Sequence, residues 1–392
     1  MKYNFDEVID RSANRSSKYD ERTKKFGTAD VIPLWVADMD FRTAQPIIDA
    51  CKAKAEEGIW GYTSRPASHF QAVQEWEVKR NNWKPDTSLM SWSLGVVPAL
   101  SAIVKLFSKD GDKVLIQTPV YSEFYDVVEA WGRTVVENQL VEENGHWHID
   151  FEDFAAKVKE CSIFLLCNPH NPTGRRWTAA ELKRIAEIAE KNNLWVISDE
   201  IHCDLLRSGN RHIPMGRIMP EYPRLVTAMS ASKTFNIAGL LQSNIIIRDK
   251  EERTRFKRRD KMTGSVNPLS LAAHKAAYEK GADWLLQLQE YIDGNFRLVK
   301  EFIGENLPGA EFEIPEATYF AWINMNSLLP DIEDLPLFFA ENAGVLLEGG
   351  DRLFAGNAGG YIRLNLAMPR DVVRTGLERI AVTVRHPYNL IS

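Results

Sequence analysis

The central part of the chain alternates short apolar runs with stretches whose apolar residues recur at helical spacing. Each apolar run ends in polar or turn-forming residues, as the buried strands of a parallel sheet do. The alternation predicts an α/β fold with a large domain built on a mostly parallel, helix-covered sheet. The seven predicted strands span residues 91–94, 114–117, 134–139, 163–167, 194–197, 225–229 and 243–247.

The pattern changes after residue 285, where strands and helices no longer alternate regularly. Strands predicted at 311–314, 319–323 and 361–366, with helices between and after them, indicate a smaller α+β domain. Residues 1–30 are polar and lack clear periodicity, so we interpret them as an arm that lies on another surface. The predicted division is an N-terminal arm with part of the small domain (1–45), a large domain (46–285) and a small C-terminal domain (286–392).

Two of the predicted strands deliver polar groups to one edge of the sheet. The polar residues that follow them are Asp199 after the strand at 194–197, and Ser230, Ser232 and Lys233 after the strand at 225–229. Because ligands bind beyond the carboxyl ends of strands in such sheets, Asp199 and Lys233 would meet in one crevice. An amine and a carboxylate so placed suit pyridoxal 5′-phosphate (PLP), with the serine hydroxyls donating to its phosphate. On this stretch alone, a helix-capping Asp and a surface Lys are an equal alternative.

A second polar loop, Asn-Pro-His-Asn-Pro-Thr-Gly at residues 168–174, follows the strand at 163–167. The two Asn-Pro pairs hold the backbone extended and Gly174 permits a turn, so the Asn171 amide would be aimed at a fixed ligand oxygen. Taken by itself, the loop fits an ordinary tight strand–helix turn better than a ligand site, because Asn, Pro and Gly are the usual residues of such a turn. Gly95, at another strand–helix turn, would let backbone N–H groups approach an anion such as phosphate.

The 392 residues have an ordinary globular composition, and the net charge of −6 argues against nucleic acid as the main partner. The basic run at 253–261 follows an acidic stretch, which is typical of a helix with a solvated charged face. No apolar run is long enough to span a membrane, and the N-terminus lacks the apolar core of a signal peptide. The four cysteines form no CxxC pair, and Asp38 and Asp40 are typical turn and cap residues. We therefore expect no metal site and a cytoplasmic location.

Asn171, Asp199 and Lys233 each follow an apolar strand, and here the chain resembles the fold-type I PLP-dependent enzymes of the class I/II aminotransferase superfamily. The resemblance rests on the NPxNPTG and SxSK motifs and covers nearly all of the chain. Several separate segments resemble more closely the MalY/PatB cystathionine β-lyase subgroup of carbon–sulfur lyases. These segments are IPLWVADMDF, WGYTSRP, NPHNPTG, SDEIHCDL and SASKTFNIAGL.

The resemblance implies a role for each cofactor contact. Lys233 would bind the cofactor aldehyde and move the substrate Cα proton, and Asp199 would pair with the pyridinium nitrogen. Asn171 and His202 would lie at the ring hydroxyl oxygen, although a buried His without this role remains an alternative. The phosphate would be held by Gly95, Val96, Val97, Ser230 and Ser232. In one departure, Leu241 stands where the aminotransferases of this superfamily have a phosphate-binding Arg.

Further implied contacts involve the substrate and a second subunit. Arg363 would grip the substrate carboxylate through a bidentate fork, although an Arg in a strand is more often part of a surface ion pair. Asn171 and Tyr121 would lie beside the substrate, and Tyr121 would also stack on the cofactor ring. Tyr62 would reach the cofactor from the neighbouring subunit, so that Tyr62 and Tyr121 join Lys233 as catalytic residues. A homodimer with shared active sites is therefore expected, and we interpret Trp35 as a further part of the substrate pocket.

The implied reaction cleaves the Cβ–S bond of L-cystathionine, or of a related cysteine S-conjugate, to a thiol (homocysteine), pyruvate and ammonia. An aminotransferase is an alternative, because it would share every cofactor contact and differ only in the fate of the carbanion. A second alternative is a lyase that also binds a transcriptional activator, as some members of the subgroup do. The preferred sulfur amino acid stays open at this point.

Overall fold

The structure is a computed structural model that describes residues 1–11, 14–26, 30–260, 262–350 and 353–385. The N-terminal arm contains helix α1 (Ser17–Phe26) and strand β1 (Ile32–Pro33). The apolar pattern does not reveal α1, because polar contacts hold the helix in place. Its Lys18 is fully buried against Asp38 and Asp40.

An eight-stranded sheet occupies the middle of the chain. The strands of this region are β2 (Met90–Ser93), β3 (Lys113–Thr118), β4 (Val120–Tyr121), β5 (Thr134–Glu143), β6 (His146–Ile149), β7 (Ile163–Cys167), β8 (Trp195–Asp199), β9 (Leu225–Met229) and β10 (Ser243–Ile247). The sheet order is β2-β10-β9-β8-β7-β3-β5-β6, and β4 lies outside this sheet. The five strands from β9 to β5 are parallel, whereas β10 is antiparallel to both of its neighbours and β6 is antiparallel to β5.

The predicted α/β class with a mostly parallel, helix-covered sheet is therefore confirmed, but the sheet has eight strands instead of seven. The additional strand is β6, which forms a hairpin with an extended β5. The hairpin turns at Asn144 and Gly145, whose φ angles are 53° and 79°. Asn-Gly favours this tight turn because both residues tolerate positive φ. The dipeptide is visible in the sequence, but residues 140–149 were not interpreted as strand.

Helices cover both faces of the sheet. They are α2 (Gln45–Glu56), α3 (Ala67–Asn81), α4 (Val96–Phe107), α5 (Glu123–Glu129), α6 (Phe151–Lys157), α7 (Ala179–Lys191), α8 (Met215–Ile218), α9 (Ala231–Thr234), α10 (Lys250–Asp260) and α11 (Pro268–Lys280). Local signals fix several starts: Pro46 lies in the first turn of α2, and Thr178 and Glu181 form a capping box on α7. Helix α10 carries the basic run, of which Lys261 lies outside the described residues.

The C-terminal part contains a smaller antiparallel sheet. Its elements are α12 (Ala282–Asn306), β11 (Phe320–Asn324), α13 (Leu335–Asn342), β12 (Val345–Leu346), β13 (Glu348–Gly349), β14 (Phe354–Ala355), β15 (Tyr361–Asn365) and α14 (Arg370–Arg385). The three-stranded order is β11-β15-β13. The predicted strand at 311–314 is wrong: only Glu311 bridges to Asn324, and Phe312 alone of the four is buried.

The arm is joined to the C-terminal part, because β1 pairs in parallel with β12. This pairing agrees with the expectation that the arm accompanies the small domain, while the boundaries at 45 and 285 stay predictions. One apolar cluster packs α4 against one face of the large sheet, and another packs α7 against the opposite face. In the part of the chain that the structure describes, no helix combines the length and the apolar character that a membrane crossing requires.

Candidate functional site

A cavity of about 260 Å³ lies beyond the carboxyl ends of the central strands. Cys167 ends β7, Asp199 ends β8, and Lys233 follows β9 within the short helix α9. The start of α4 closes another side of the cavity. The position is the one at which open α/β sheets bind their ligands.

Most of the residues that the sequence predicts to be functional come together at this cavity. Arg363 reaches it from β15, more than a hundred residues further along the chain than Lys233. The nominated residues that line the cavity are Val96, Val97, Tyr121, Asn171, Asp199, His202, Lys233 and Arg363. The nominated residues outside its lining are Trp35, Tyr62, Gly95, Ser230 and Ser232. The lining fixes where these residues are, whereas their individual roles stay predictions.

Lys233 is half-buried, and its Nζ donates a hydrogen bond to the Ala37 carbonyl at 2.9 Å. Desolvation and, secondly, the positive charge of Arg363 outweigh the carboxylates of Asp38 and Asp199, so the pKa of Lys233 is lowered to about 8. An amine with such a pKa carries a substantial neutral fraction near neutral pH. The neutral form is the one that attacks an aldehyde or accepts a proton.

Asp199 provides the opposite charge at the same cavity. Its Oδ1 accepts a hydrogen bond from the Ile201 backbone N–H at 3.0 Å. Burial raises the pKa of Asp199 to about 7, and the Ile201 N–H and the Lys233 charge only partly offset that rise. A desolvated carboxylate of this kind gains much from a cationic partner, such as a protonated ring nitrogen.

Arg363 and Asn171 form a bonded pair at another side of the cavity. Nη1 of Arg363 donates to Oδ1 of Asn171 at 3.2 Å, and Nη2 donates to the Trp35 carbonyl at 3.1 Å. The guanidinium carbon lies 4.0 Å from the ring centroid of Phe320 and 4.9 Å from that of Phe354. Burial lowers the pKa of Arg363, but an Arg side chain stays charged under any ordinary condition. The site therefore holds a rigid, desolvated cation suited to a carboxylate.

The Asn-Pro-His-Asn-Pro-Thr-Gly loop is held from within by His170. Its Nδ1 lies 3.0 Å from Thr173 Oγ1, and its backbone N–H donates to the Arg175 carbonyl at 2.8 Å. Burial lowers the pKa of His170 to about 4, so the ring is neutral. Gly174 turns the chain at φ 68°, and a Cβ there would lie 2.4 Å from Pro315 Cβ. Sequence reasoning identified the loop but not the contribution of His170 to its rigidity.

His202 and Tyr121 face the cavity as flat side chains. Burial, and secondly the nearby Lys233 charge, lower the pKa of His202 to about 3, so its imidazole is neutral. Its Nδ1 is buried without a hydrogen-bond partner in the described part of the protein. Burial raises the pKa of Tyr121 to about 12, and its strand β4 is held by β14. Both rings can therefore lie against a ligand without carrying charge.

The predicted phosphate-binding residues have other contacts. Gly95 is the N-cap of α4 with an extended backbone, so it adjoins the cavity through Val96 and Val97. Ser230 donates its hydroxyl to the Gln242 carbonyl at 2.6 Å and accepts from the Ser232 N–H at 3.1 Å. The Ser230 hydroxyl therefore caps α9 and has less capacity left for a phosphate than the sequence suggests.

The side chain of Trp35 lies outside the cavity, contrary to the expectation that it shapes the substrate pocket. Its Nε1 donates to the Lys18 carbonyl at 3.0 Å, and its ring packs in a small cluster with Val31 and Leu346. Only the backbone carbonyl of Trp35 approaches the site, through Arg363. Trp35 is a large apolar residue of the arm, and its ring is buried where the arm packs against the small domain.

Several lining residues escaped the sequence reasoning. Ala37 and Cys167 are neighbours of motif residues, so their position in the motifs was the available signal. No sequence motif points to Glu348. It reaches the site because β13 pairs with β15, which places Glu348 opposite Arg363. The remaining lining residues that were missed are Val36, Phe124, Ile201 and Leu353.

The residues present fit PLP on structural grounds. A half-buried amine and a buried carboxylate face one cavity, and two further polar atoms there lack hydrogen-bond partners among the described residues. These atoms are Nδ1 of His202 and Nε of Arg363. Unpartnered buried polar atoms around an apolar space are typical of a polar ligand site. In the described residues, no cluster of side chains suited to a metal ion is found.

Comparison with known proteins identifies the family. The model of the family "Aminotransferase class I and II" matches residues 30–380. The protein "Cystathionine beta-lyase PatB" of Bacillus subtilis (strain 168) is 37% identical over 382 residues, which cover 96% of this chain and 98% of that protein. "Protein MalY" of Escherichia coli (strain K12) is 32% identical over 98% of this chain and 99% of that protein.

A solved structure agrees with these sequence relatives. The crystal structure of a PLP-bound C-S lyase from Staphylococcus hominis superposes with a TM-score of 0.94 and 38% identity, covering 98% of each chain. The match extends over both sheets and the arm, since so little of either chain is left out. The chain belongs to the class I and II aminotransferase family of fold-type I PLP-dependent enzymes and, within it, to the MalY/PatB cystathionine β-lyase subgroup.

Proposed function

We propose that the protein is a PLP-dependent carbon–sulfur β-lyase. It cleaves L-cystathionine or related cysteine S-conjugates to a thiol, pyruvate and ammonia, and the thiol from L-cystathionine is homocysteine. The observation that carries the proposal is the single buried cavity shared by the Lys233 amine, the Asp199 carboxylate and the Arg363 guanidinium. Relatives named as cystathionine β-lyase or C-S lyase support the same reaction.

When bound, PLP supplies an aldehyde that reacts with amines and a ring that withdraws electrons from the substrate Cα. Lys233 holds the aldehyde and then takes the Cα proton, for which its lowered pKa of about 8 is suitable. Asp199, at the carboxyl end of β8, would pair with the ring nitrogen and favour its protonated form. A thiolate is a good leaving group from Cβ because thiols have a pKa near ~8.5.

Other residues of the chain hold the reactants. Arg363 binds the substrate carboxylate with the N–H groups that Asn171 and Trp35 leave unused. The Asn171 amide and the His202 ring orient the cofactor oxygen, and Tyr121 covers the ring face. The phosphate would be held by the backbone N–H groups at the start of α4, from Gly95 to Val97, and by Ser232, while Ser230 would act by capping α9 because its hydroxyl proton is used on the Gln242 carbonyl.

The test is pyruvate release from L-cystathionine by the purified protein with PLP. The Lys233→Ala variant should lose roughly 10²–10⁴-fold or more of this rate, because the positioned amine is removed. The matched control is Lys275→Ala on α11, whose Nζ pairs with Glu279 at 3.1 Å away from the cavity. A Lys233→Ala protein that releases pyruvate as fast as the control would refute the proposal.

An aminotransferase would share the same cofactor contacts, so a second assay separates the two reactions. The protein is incubated with an amino donor and a keto acid, and exchange of the amino group is compared with pyruvate release. We expect pyruvate release to dominate. Fast amino exchange without C–S cleavage would instead assign the protein to the aminotransferases.

We also propose a homodimer in which Tyr62 completes the site of the partner. Tyr62 is 100% exposed on the single chain, and the neighbouring Ile59 and Trp60 are 76% and 56% exposed. A run of apolar and aromatic side chains this exposed is typical of a surface that another chain covers. Co-expression of Tyr62→Ala and Lys233→Ala chains should restore activity through hybrid dimers that carry one intact site. Absence of restoration, with a monomeric mass in solution, would contradict sharing.

The domain boundaries and the location are further proposals. The arm (1–45) accompanies the small domain (286–392) beside a large domain (46–285), and the β1–β12 pairing supports the first part of this division. A cytoplasmic location follows from the cysteine content of the sequence, and cell fractionation tests it.

A further inference from the structure

The segment of residues 34–39, called the strap below, lines one side of the cavity with Val36 and Ala37, and all of its backbone carbonyl groups accept hydrogen bonds. Each of its six carbonyl groups accepts a hydrogen bond from a residue far away in the sequence. The donors are the Asn365 N–H to Leu34 (2.9 Å), Arg363 Nη2 to Trp35 (3.1 Å), Asn365 Nδ2 to Val36 and Asp38 (2.7 and 2.6 Å), Lys233 Nζ to Ala37 (2.9 Å) and Asn236 Nδ2 to Met39 (2.8 Å).

The strap therefore supports both cations of the site. It gives Lys233 the Ala37 carbonyl as a hydrogen-bond acceptor and gives Arg363 one of its two acceptors, the Trp35 carbonyl. The Ala37 carbonyl is also bonded to the Tyr319 hydroxyl at 3.0 Å, so its direction is fixed from two sides. A shift of the strap would move the acceptor of Lys233 directly.

Cations of the arm hold the strap from its outer side. Nη2 of Arg11 lies 2.9 Å from Oδ2 of Asp38, and Nζ of Lys18 lies 3.5 Å from Oδ1 of the same carboxylate. Nζ of Lys18 also donates to the Asp38 carbonyl at 3.2 Å and to Oδ1 of Asp40 at 3.3 Å. Lys18 is fully buried, and a buried ammonium is retained only with such partners.

Asp38 links the site to the arm. Its backbone directly follows Ala37, whose carbonyl accepts from Lys233, and its carboxylate contacts Arg11 and Lys18. The charged or titratable groups that act on the Lys233 amine are Asp199, Asp38, Arg363 and His202. Asp38 is thus a second carboxylate, in addition to Asp199, whose charge acts on the Lys233 amine. Its negative charge raises the pKa of Lys233 and that of Tyr319.

We propose that Asp38 is a positioning residue for Lys233, which holds the Ala37 carbonyl and a negative charge against the amine while Arg11 and Lys18 clamp it. The assignment rests on the proposed function of Lys233 and deepens it. It gives the arm a part in tuning the site as well as in closing it. A purely structural Asp38 would anchor the arm without affecting the protonation of Lys233.

The test measures the protonation midpoint of Lys233 in the full-length chain. The cofactor-free protein is acetylated with acetic anhydride across a pH series, and mass spectrometry follows the Lys233 peptide relative to an exposed lysine. In the PLP-loaded protein, the visible absorption band would report a different midpoint, that of the imine nitrogen between Lys233 and the cofactor, and loss of the Asp38 charge should lower it as well. Neither readout requires turnover.

Two variants should shift this midpoint in opposite directions. Asp38→Asn removes the negative charge and should lower the midpoint by about 0.5–1 pH unit. Lys18→Met removes a cation that partly neutralises Asp38, while Arg11 keeps the carboxylate in place, so the midpoint should rise. Asp40 remains bonded to Arg11 and to the Tyr19 hydroxyl in that variant, which favours folding. The control for a lost charge is Asp30→Asn, whose side chain is 93% exposed.

Each outcome decides the proposal. Opposite shifts support it, whereas a midpoint in Asp38→Asn equal to that of Asp30→Asn, or equal directions in both variants, overturns it. If Asp38→Asn does not fold, a rise in Lys18→Met supports the assignment, and no change or a fall overturns it. Failure of the lyase itself is distinguishable, because a protein with the expected shifts that releases no pyruvate would overturn only the proposed function.

Discussion

Replacement of Arg363 by Lys is the sharpest test of how substrate is held. A guanidinium has five N–H donors, of which one is used on Asn171 Oδ1 at 3.2 Å and one on the Trp35 carbonyl at 3.1 Å. Three donors, including the unpartnered Nε, remain for a substrate carboxylate and allow a two-bond fork. A lysine ammonium has three N–H donors in all. If two of them bond the same two acceptors, one donor remains for the substrate carboxylate.

Arg363→Lys should therefore lose one charge-assisted hydrogen bond to the substrate, worth about 1.5–3 kcal/mol. That loss corresponds to roughly a 10- to 150-fold lower kcat/KM, since each 1.4 kcal/mol is tenfold. The carboxylate is bound before and during the reaction, so most of the change should appear in KM. The flat stacking between Phe320 and Phe354 is also lost, which adds to the effect without changing its direction.

The assay is pyruvate release from L-cystathionine across substrate concentrations, coupled to lactate dehydrogenase. Arg370→Lys is the matched control, because Arg370 is also hydrogen-bonded, to Asn295 at 2.9 Å, and stacked, on Tyr291 at 4.6 Å, but does not line the cavity. If Arg363→Lys stays within threefold of the wild type in kcat/KM, or loses only kcat, the reasoning about the fork is wrong.

Three further predictions concern stability. Gly174→Ala should lower the free energy of unfolding in urea by about 2–5 kcal/mol, because residue 174 has a φ of 68° and the new Cβ would lie 2.4 Å from Pro315 Cβ. The control Gly239→Ala should lower it much less, because a Cβ at residue 239 would meet no atom within 4 Å. Asp199 has a folded pKa of about 7, above its ordinary 3.8, so the cofactor-free wild type loses stability as pH rises through that interval. The cofactor-free Asp199→Asn variant should have the same free energy of unfolding as the wild type near pH 4 and a higher one, by about 2–4 kcal/mol, at pH 8. Equal free energies of unfolding at pH 8 would contradict the argument from burial. The folded pKa of His202 is about 3, below 6.5, so the wild type should lose about 2 kcal/mol relative to His202→Gln between pH 7 and 5, measured by thermal or urea melts.

The central strands could be predicted closely because their burial is complete. The strands Ile163–Cys167, Leu225–Met229 and Ser243–Ile247 have the predicted bounds, since an apolar run buried on both faces is interrupted by polar residues at each end. The same reasoning located Asp199, which is the last residue of β8, and Lys233, which lies four residues beyond the end of β9. Their arrival at one cavity then follows from the parallel order of β7, β8 and β9.

Residues that reach the site through tertiary pairing were harder to predict. Ala37 contributes a backbone carbonyl, which no side-chain pattern can reveal, and Glu348 enters only because β13 pairs with β15. Trp35 shows the converse: its size and its place in a motif suggested a pocket residue, but the arm buries its ring elsewhere. The role of Tyr62 depends on a second chain, so neither one sequence nor one folded chain tests it.

The cavity also explains why the two ends of this chain must fold together. Nδ2 of Asn365 bonds the carbonyls of Val36 and Asp38 across 329 and 327 residues, and Arg363 reaches Trp35 across 328. The entropic cost of closing a loop grows only slowly with its length, so contacts across such a separation add little to that cost once the sheet has formed. Asp199 and Lys233 are positioned by elements of the large sheet, whereas the acceptor of Lys233 and one acceptor of Arg363 are carbonyls of the strap. The reactive geometry is therefore a property of the complete fold, and variants far from the cavity, in the arm or near β15, are expected to act on catalysis through the strap.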